Sequence, residues 1–338
     1  MHRNKIISIS MILLVMSISA CGGTTTTSSS DSSIDQSISS EESISSSIQS
    51  SSEKASSSSE KVTSSNIEES SSSEEGIIYS QGLEYFGGEV RGIGTCTDKD
   101  IIIPLTYETG YSWYPIGDVT GIGRAAFQNT DIESVTFHSN IETIVQYAFN
   151  GCEKLTSIEI PNTVKEIGSE VFGNCINLQS VIFEEGSKVD SLGGQDGDPG
   201  YMFYHCTNLT EVVLPDSIAS IPEGTFGKCT SLVNLTIPHG VTSIARYAFS
   251  YCSSLISLTL PNTIESIGID GYSSGYFVFN ECSSLEEINY EGTIEEWNSI
   301  RKSKDPRGPG VDDWRYGSAI KVIHCTDGDV TFEEENQD

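Results

Sequence analysis

The cysteines are the chain's most reactive side chains, and six of the nine keep a strict spacing. Cys152, Cys175, Cys206, Cys229, Cys252 and Cys282 each follow a phenylalanine by three residues and precede a leucine by three. In a secreted chain, so many cysteines first suggest disulfides. Neighbours at one repeat position would lie close enough to bridge, yet pairing them would distort alternate rung spacings. An inward column of free thiols, packed as small hydrophobes, is therefore expected. Cys96 and Cys325 stand outside it, one near each end.

Other constellations fall short of a site. His205-Cys206 and His324-Cys325 suggest a metal, but no ligands at metal spacing accompany them. The residue before each column cysteine varies (Gly151, Asn174, Lys228, Tyr251, Glu281), so His205 is expected to be solvated. Asp98-Lys99-Asp100, Asp196-Gly197-Asp198 and Asp327-Gly328-Asp329 could lend oxygens to calcium, but turns favour the same residues and no full loop pattern is present. Gly92-Ile93-Gly94 and Gly121-Ile122-Gly123 have no βαβ unit around them to cradle a dinucleotide. No histidine lies near a plausible nucleophile in the repeat register, since Cys206 belongs to the column expected to be buried, and the paired acids Glu295-Glu296 and Glu334-Glu335 lie in a cap and a tail. The expectation is a non-enzyme with no catalytic residue, no metal and no cofactor.

The elements that position these residues repeat. Phe127, Phe149, Phe172, Phe203, Phe226, Phe249 and Phe279 are spaced by 22, 23, 31, 23, 23 and 30 residues. Each cysteine leads to an L-x-x-Φ-x-Φ run opened by Leu155, Leu178, Leu209, Leu232, Leu255 or Leu285, and residues 132–137 form a version without cysteine. Pro161, Pro215, Pro238 and Pro261 then end the strand, because proline offers no ladder donor. A second apolar pair follows, such as Val164/Ile167 or Val241/Ile244. The period predicts a leucine-rich-repeat solenoid of about seven rungs of roughly 23 residues, with a parallel strand sheet on one side. One rung cannot bury its apolar side alone, whereas stacked rungs bury all these columns together. In each run the first, fourth and sixth residues should point inward and the third and fifth outward. The two long rungs carry insertions near 193–200 and 269–275, and residues 107–118 read as a longer loop.

The consensus L-x-x-Φ-x-Φ-P-x-x-Φ-x-x-I-G-x-x-A-F-x-x-C closely resembles the BspA-like (Treponema pallidum type) leucine-rich repeat, over about residues 82 to 325. Residues 92–104 look like that family's first rung, and residues 290–297 resemble its closing cap. The resemblance implies a secreted or surface protein of the kind implicated in adhesion to host matrix proteins or other cells.

His2, Arg3 and Lys5 precede a fifteen-residue apolar run ending at Ala20. As a helix it would rise only about 22 Å, short of the bilayer's roughly 30 Å core, so it reads as a signal peptide. Ile18-Ser19-Ala20-Cys21 resembles the bacterial lipoprotein lipobox, which implies lipid attachment at Cys21 and an extracellular, membrane-anchored location. Residues 22–75 hold 25 serines, ten acids and few apolar side chains. Such a segment cannot offset its ordering entropy and is expected to be a disordered tether.

The expected divisions are a signal peptide (1–20), a lipid-anchored serine-rich linker (21–75), an N-terminal cap and first rung (76–121), the repeats (122–290), and a C-terminal cap with acidic tail (291–338). The net charge of −30 excludes nucleic acid and charge-driven binding to anionic lipid, both of which need Lys/Arg. The outward column Thr136, Glu159, Ile182, Val213, Thr236, Thr259 and Asn289 is the candidate binding face, with Ile182 and Val213 as its apolar centre. The expected partner is an extracellular protein or glycan. The alternative is an envelope spacer or self-associating coat component without a specific ligand. A solute-binding lipoprotein would need a two-lobed α/β body, which the repeat opposes.

Overall fold

The computed structural model describes residues 77–193, 199–269, 277–303 and 313–332. Cys21, the signal peptide, the linker, Asp196-Gly197-Asp198, the acidic tail, and the inserted residues 194–198 and 270–276 lie outside the described residues.

The chain folds as a leucine-rich-repeat solenoid whose L-x-x-Φ-x-Φ runs supply a front layer of parallel strands. Asp100–Ile102 pairs with Ser134–Thr136. Ser157–Ile160, Ser180–Phe183 and Glu211–Val213 form a second hydrogen-bonded group. Asn234–Thr236, Ser257–Leu260, Glu287–Tyr290 and Val322–Cys325 form a third, closed by the antiparallel strand Gly328–Thr331. The front layer therefore extends beyond the L-x-x-Φ-x-Φ runs at both ends. Alternation along each strand sets inside from outside: Leu178, Val181 and Phe183 are buried while Ile182 faces out. Glu211–Val213 departs from the pattern, since Val212 and Leu214 are only half-buried.

Each proline after a strand begins a turn rather than merely ending the ladder. Val164, Val241 and Ile264 donate their amides back to the carbonyls of Pro161, Pro238 and Pro261. The second apolar pair then forms a back ladder of two-residue parallel strands. Gly121–Ile122, Thr143–Ile144 and Glu166–Ile167 make one run of it. Ser220–Ile221, Ser243–Ile244, Ser266–Ile267 and Arg301–Lys302 make another. The hairpin Glu84–Phe86 and Glu89–Gly92 covers the N-terminal edge of the first run. Ile167-Gly168 shows why glycine follows isoleucine there: a Cβ on Gly168 would come 2.3 Å from the Gln146 nitrogen of the neighbouring rung.

A third ladder runs through the phenylalanine turns. Phe127 donates to the Ala148 carbonyl, Phe149 to Val171, Phe172 to Met202, Phe203 to Thr225 and Phe226 to Ala248. The turns from Phe127 to Phe249 are built from left-handed residues two before and two after the phenylalanine, and the Phe279 turn has Glu281 in the second of these columns. Among the described residues, all eleven non-glycine residues with positive φ fall in these two columns, from Ala125 (φ 55°) to Glu281 (φ 60°). Because left-handed backbone costs roughly 1–2 kcal/mol per non-glycine residue, the repeated turn is held by its packing.

Between the layers the phenylalanines stack. Ring centroids from Phe127 to Phe279 are 5.3–6.0 Å apart and nearly parallel. The 31-residue step keeps this register, with Phe172 and Phe203 6.0 Å apart. Trp314 ends the column edge-on against Phe279 and contacts Trp297, which sits on the helix Ile294–Ser299. That helix is started by a capping box between Thr293 and Glu296. Residues 107–118, expected as a loop, belong instead to an antiparallel hairpin, Thr106–Tyr111 with Tyr114–Asp118. Among the described residues no helix is long and apolar enough to cross a membrane.

Candidate binding surface

The fifth residues of the runs are brought into register along the front layer. Glu159 pairs with Ile182, and Ile182 with Val213. Thr236 pairs with Thr259, and Thr259 with Asn289. Thr136 pairs with Ile102, and Asn289 with His324, so the column extends one residue further at each end. Thr259 is half-buried and the other six predicted positions are exposed. Ile182 and Val213 are 36% and 46% exposed, which puts two branched apolar side chains side by side on a polar, solvated sheet. Val181, the inward neighbour of Ile182, is fully buried, whereas Val212 beside Val213 is only half-buried.

The third-position column beside it is polar. The Ser180 hydroxyl donates to Glu211 at 3.0 Å, and Ser134 donates to Asp100 at 2.6 Å. At the C-terminal end His324 lies 2.9 Å from Asp329 and 3.3 Å from Glu287. Its hydrogen bonds to Asp329 and Glu287 raise its pKa above the ordinary histidine value. His324 thus belongs to a small acid-rich cluster at the edge of the face. Asp327 accepts the Ile294 amide at 2.8 Å and so helps start the capping helix. Among the described residues no group of three or more His, Cys, Asp or Glu side chains could hold a metal ion.

Behind the face lie the six column cysteines, all free and fully buried. The inward column of free thiols is as expected, but its members do more than pack as small hydrophobes. Cys152, Cys175, Cys206, Cys229, Cys252 and Cys282 each place Sγ 3.0–3.2 Å from the carbonyl of a phenylalanine in the preceding rung. Those carbonyls also accept a turn amide: Phe203 takes the Cys206 N–H at 3.1 Å as well as the Cys229 thiol. Burial pushes the Cys152 pKa up to about 11 and those of Cys206 and Cys282 to about 12. It also raises Cys175, Cys229 and Cys252 well above the ordinary thiol value. Protonated thiols are hydrogen-bond donors and poor nucleophiles, so this column stitches rungs together instead of reacting.

His205 also differs from expectation. It is half-buried, its Nδ1 lies 3.2 Å from Asn174 Oδ1, and its φ is 64°. The position before each cysteine has a left-handed backbone, and its side chains do not all point freely into water. Sequence reasoning also missed the exposed aromatics of the 106–118 hairpin. Their signal was a cluster of three, Tyr111, Trp113 and Tyr114, with no buried column to join.

A family profile described as BspA type leucine rich repeat region matches the chain in six copies, over residues 118–194 and 199–301. These spans make up more than half of the 338 residues. No curated protein matches the chain. Among solved structures it is similar to a leucine rich cell surface protein from Faecalibacterium prausnitzii A2-165, at 22% identity over 61% of this chain and 63% of that one, with a TM-score of 0.31. It is similar to a leucine-rich repeat protein from Eubacterium ventriosum ATCC 27560, at 23% identity over 67% and 50% of the two chains, with a TM-score of 0.48. A leucine-rich repeat protein from Bacteroides ovatus ATCC 8483 matches at 24% identity over 75% and 71%, with a TM-score of 0.42. The chain spans less than two thirds of the length of the first two.

Proposed function

The chain belongs to the BspA-type leucine-rich-repeat family, and we propose that it is a bacterial cell-surface lipoprotein presenting its repeats for protein or glycan binding. In this reading Cys21 carries the lipid and residues 21–75 are the tether. Residues 76–121 cap the N-terminal end, 122–290 hold seven rungs, and 291–338 close the stack and end in an acidic tail. The role is adhesion to host matrix or other cells, without catalysis.

The observation that carries the reading is the front column. Solenoid sheets offer extended surfaces to partners, and here two exposed apolar side chains, Ile182 and Val213, stand in register on adjacent strands. Interface energy concentrates in such desolvated centres, with the polar surround excluding water. The anchor is supported by Cys21 following an apolar run and small residues. One thioether-linked diacylglyceryl group supplies the two chains that stable anchoring needs. Cys21→Ala should therefore release the protein from membranes or block its maturation, and the wild type should incorporate labelled fatty acid. A variant that stays with membranes, together with an unlabelled wild type, rules the anchor out.

A further inference from the structure

Away from the front column, the tip of the 106–118 hairpin exposes aromatic rings that no packing explains. Trp113 is 81% exposed, Tyr111 59% and Tyr114 51%, whereas Trp297 and Trp314 are buried in the C-terminal cap. The three rings form one surface. Trp113 lies 5.6 Å from Tyr111 and 6.3 Å from Tyr114, tilted by 36° and 34°.

The surface is pre-organised. A register shift between Glu108 and Tyr111 sets Tyr111 opposite Tyr114. The Thr109 hydroxyl donates to the Tyr114 carbonyl and accepts the Tyr111 amide. At the base, Tyr107 stacks on Tyr85 at 5.2 Å and its hydroxyl accepts the Gly88 amide at 3.0 Å.

The charge pattern selects among ligands. Residues 109–117 carry no charged side chain, in a chain of net charge −30. Nucleic acid and anionic headgroups need Lys or Arg at the contact. The exposed rings offer on the order of 400 Å², about half of one side of a standard protein interface at roughly 800 Å². Two or three sugar rings fit that area, and their apolar faces and neutral hydroxyls need no counter-charge.

We propose that the hairpin tip is a stacking platform for a neutral oligosaccharide. Sugar C–H faces lie on the Tyr111, Trp113 and Tyr114 rings, while the Tyr111, Tyr114 and Ser112 hydroxyls bond the sugar's own hydroxyls. The tilt between neighbouring rings accommodates sugar units that turn relative to one another along a chain. This site shares no residue with the front column and does not depend on what that column binds.

The full chain is titrated with cellohexaose, mannohexaose and a poly-N-acetyllactosamine hexasaccharide, and binding is followed by calorimetry and by tryptophan fluorescence. Because Trp113 is the exposed tryptophan of the described three, a bound sugar should blue-shift the emission and shield it from acrylamide, a neutral quencher that the acidic chain does not repel. Trp113→Ala should weaken binding at least about tenfold with an unchanged melting temperature, while Trp113→Phe stays within about threefold. Ile182→Lys combined with Val213→Lys should leave sugar binding intact, even if that pair abolishes a front-column ligand. Absence of binding by all three sugars at millimolar concentration overturns the proposal, as does normal binding by Trp113→Ala. Loss of sugar binding in the folded Ile182/Val213 variant, or the same blue shift with phosphatidylcholine vesicles and none with sugar, overturns it too.

Discussion

Cys229 sits in the middle of the thiol column, fully buried, with Sγ 3.2 Å from the Phe203 carbonyl. That carbonyl keeps the Cys206 amide as a second donor, so truncation to alanine strands no acceptor. Cys229→Ala should then lose the transfer energy of one buried sulfur and leave a small cavity, at a cost of about 2 kcal/mol. Cys229→Ser retains a donor for Phe203 and fills most of the space, but leaves hydroxyl lone pairs unmet, so it should cost only about 1 kcal/mol. A column lacking thiol–carbonyl bonds predicts the opposite order, because a buried hydroxyl without a partner costs about 1–3 kcal/mol in proteins. Urea unfolding midpoints decide between them, provided that the m-values agree, since repeat arrays can lose two-state behaviour. Serine as damaging as alanine, or more so, would refute the hydrogen-bonded column. Native-state labelling adds a second check. Burial holds the six thiols protonated, so a thiol reagent should modify Cys96 and Cys325 first, and rapid labelling of the column would contradict its packing.

Two further perturbations probe the backbone and the register. Ala125 has φ 55° in the first left-handed column, so Ala125→Gly should raise stability by about 1 kcal/mol, measured as a higher urea midpoint. A destabilised variant would mean that the turn is not held in that conformation. Val181→Lys should unfold its rung by burying an unpaired charge, whereas Ile182→Lys, one residue on and beside Glu159, should change stability by less than about 1 kcal/mol. Circular dichroism melts of the two variants separate them, and equal damage from both would show that the strand is not read in the right register.

The parts legible in the sequence were those with a period long enough to repeat side-chain type. Leucine, the two following apolar residues and proline recur in phase, so the front strands and their outward column could be numbered residue by residue. The cysteines could be placed inward, but spacing alone does not reveal that the preceding rung's phenylalanine carbonyl lies 3.0–3.2 Å from each sulfur. The back ladder has two-residue strands such as Thr143–Ile144, too short to show alternation. The left-handed columns were hidden because tyrosine, lysine and glutamate occupy positions where Asn129, Gly151 and Asn174 give the usual hint. Ile102 and His324 extend the candidate column from strands outside the L-x-x-Φ-x-Φ pattern. The hairpin turns at Ser112-Trp113, without the Asn-Gly or Asp-Gly pair that marks tight hairpins.

Recognition of a partner by the front column, through Ile182 and Val213, is the proposal on which the function rests. Saturable binding of the full chain to surfaces coated with host extracellular-matrix extract or with bacterial cells, compared with Ile182→Lys combined with Val213→Lys, tests it directly. The wild type should bind saturably and the double variant should lose at least about thirty-fold, with stability changed by less than about 1 kcal/mol. A double variant that folds normally and binds as the wild type does, or a wild type that binds neither surface and only associates with itself, would contradict it.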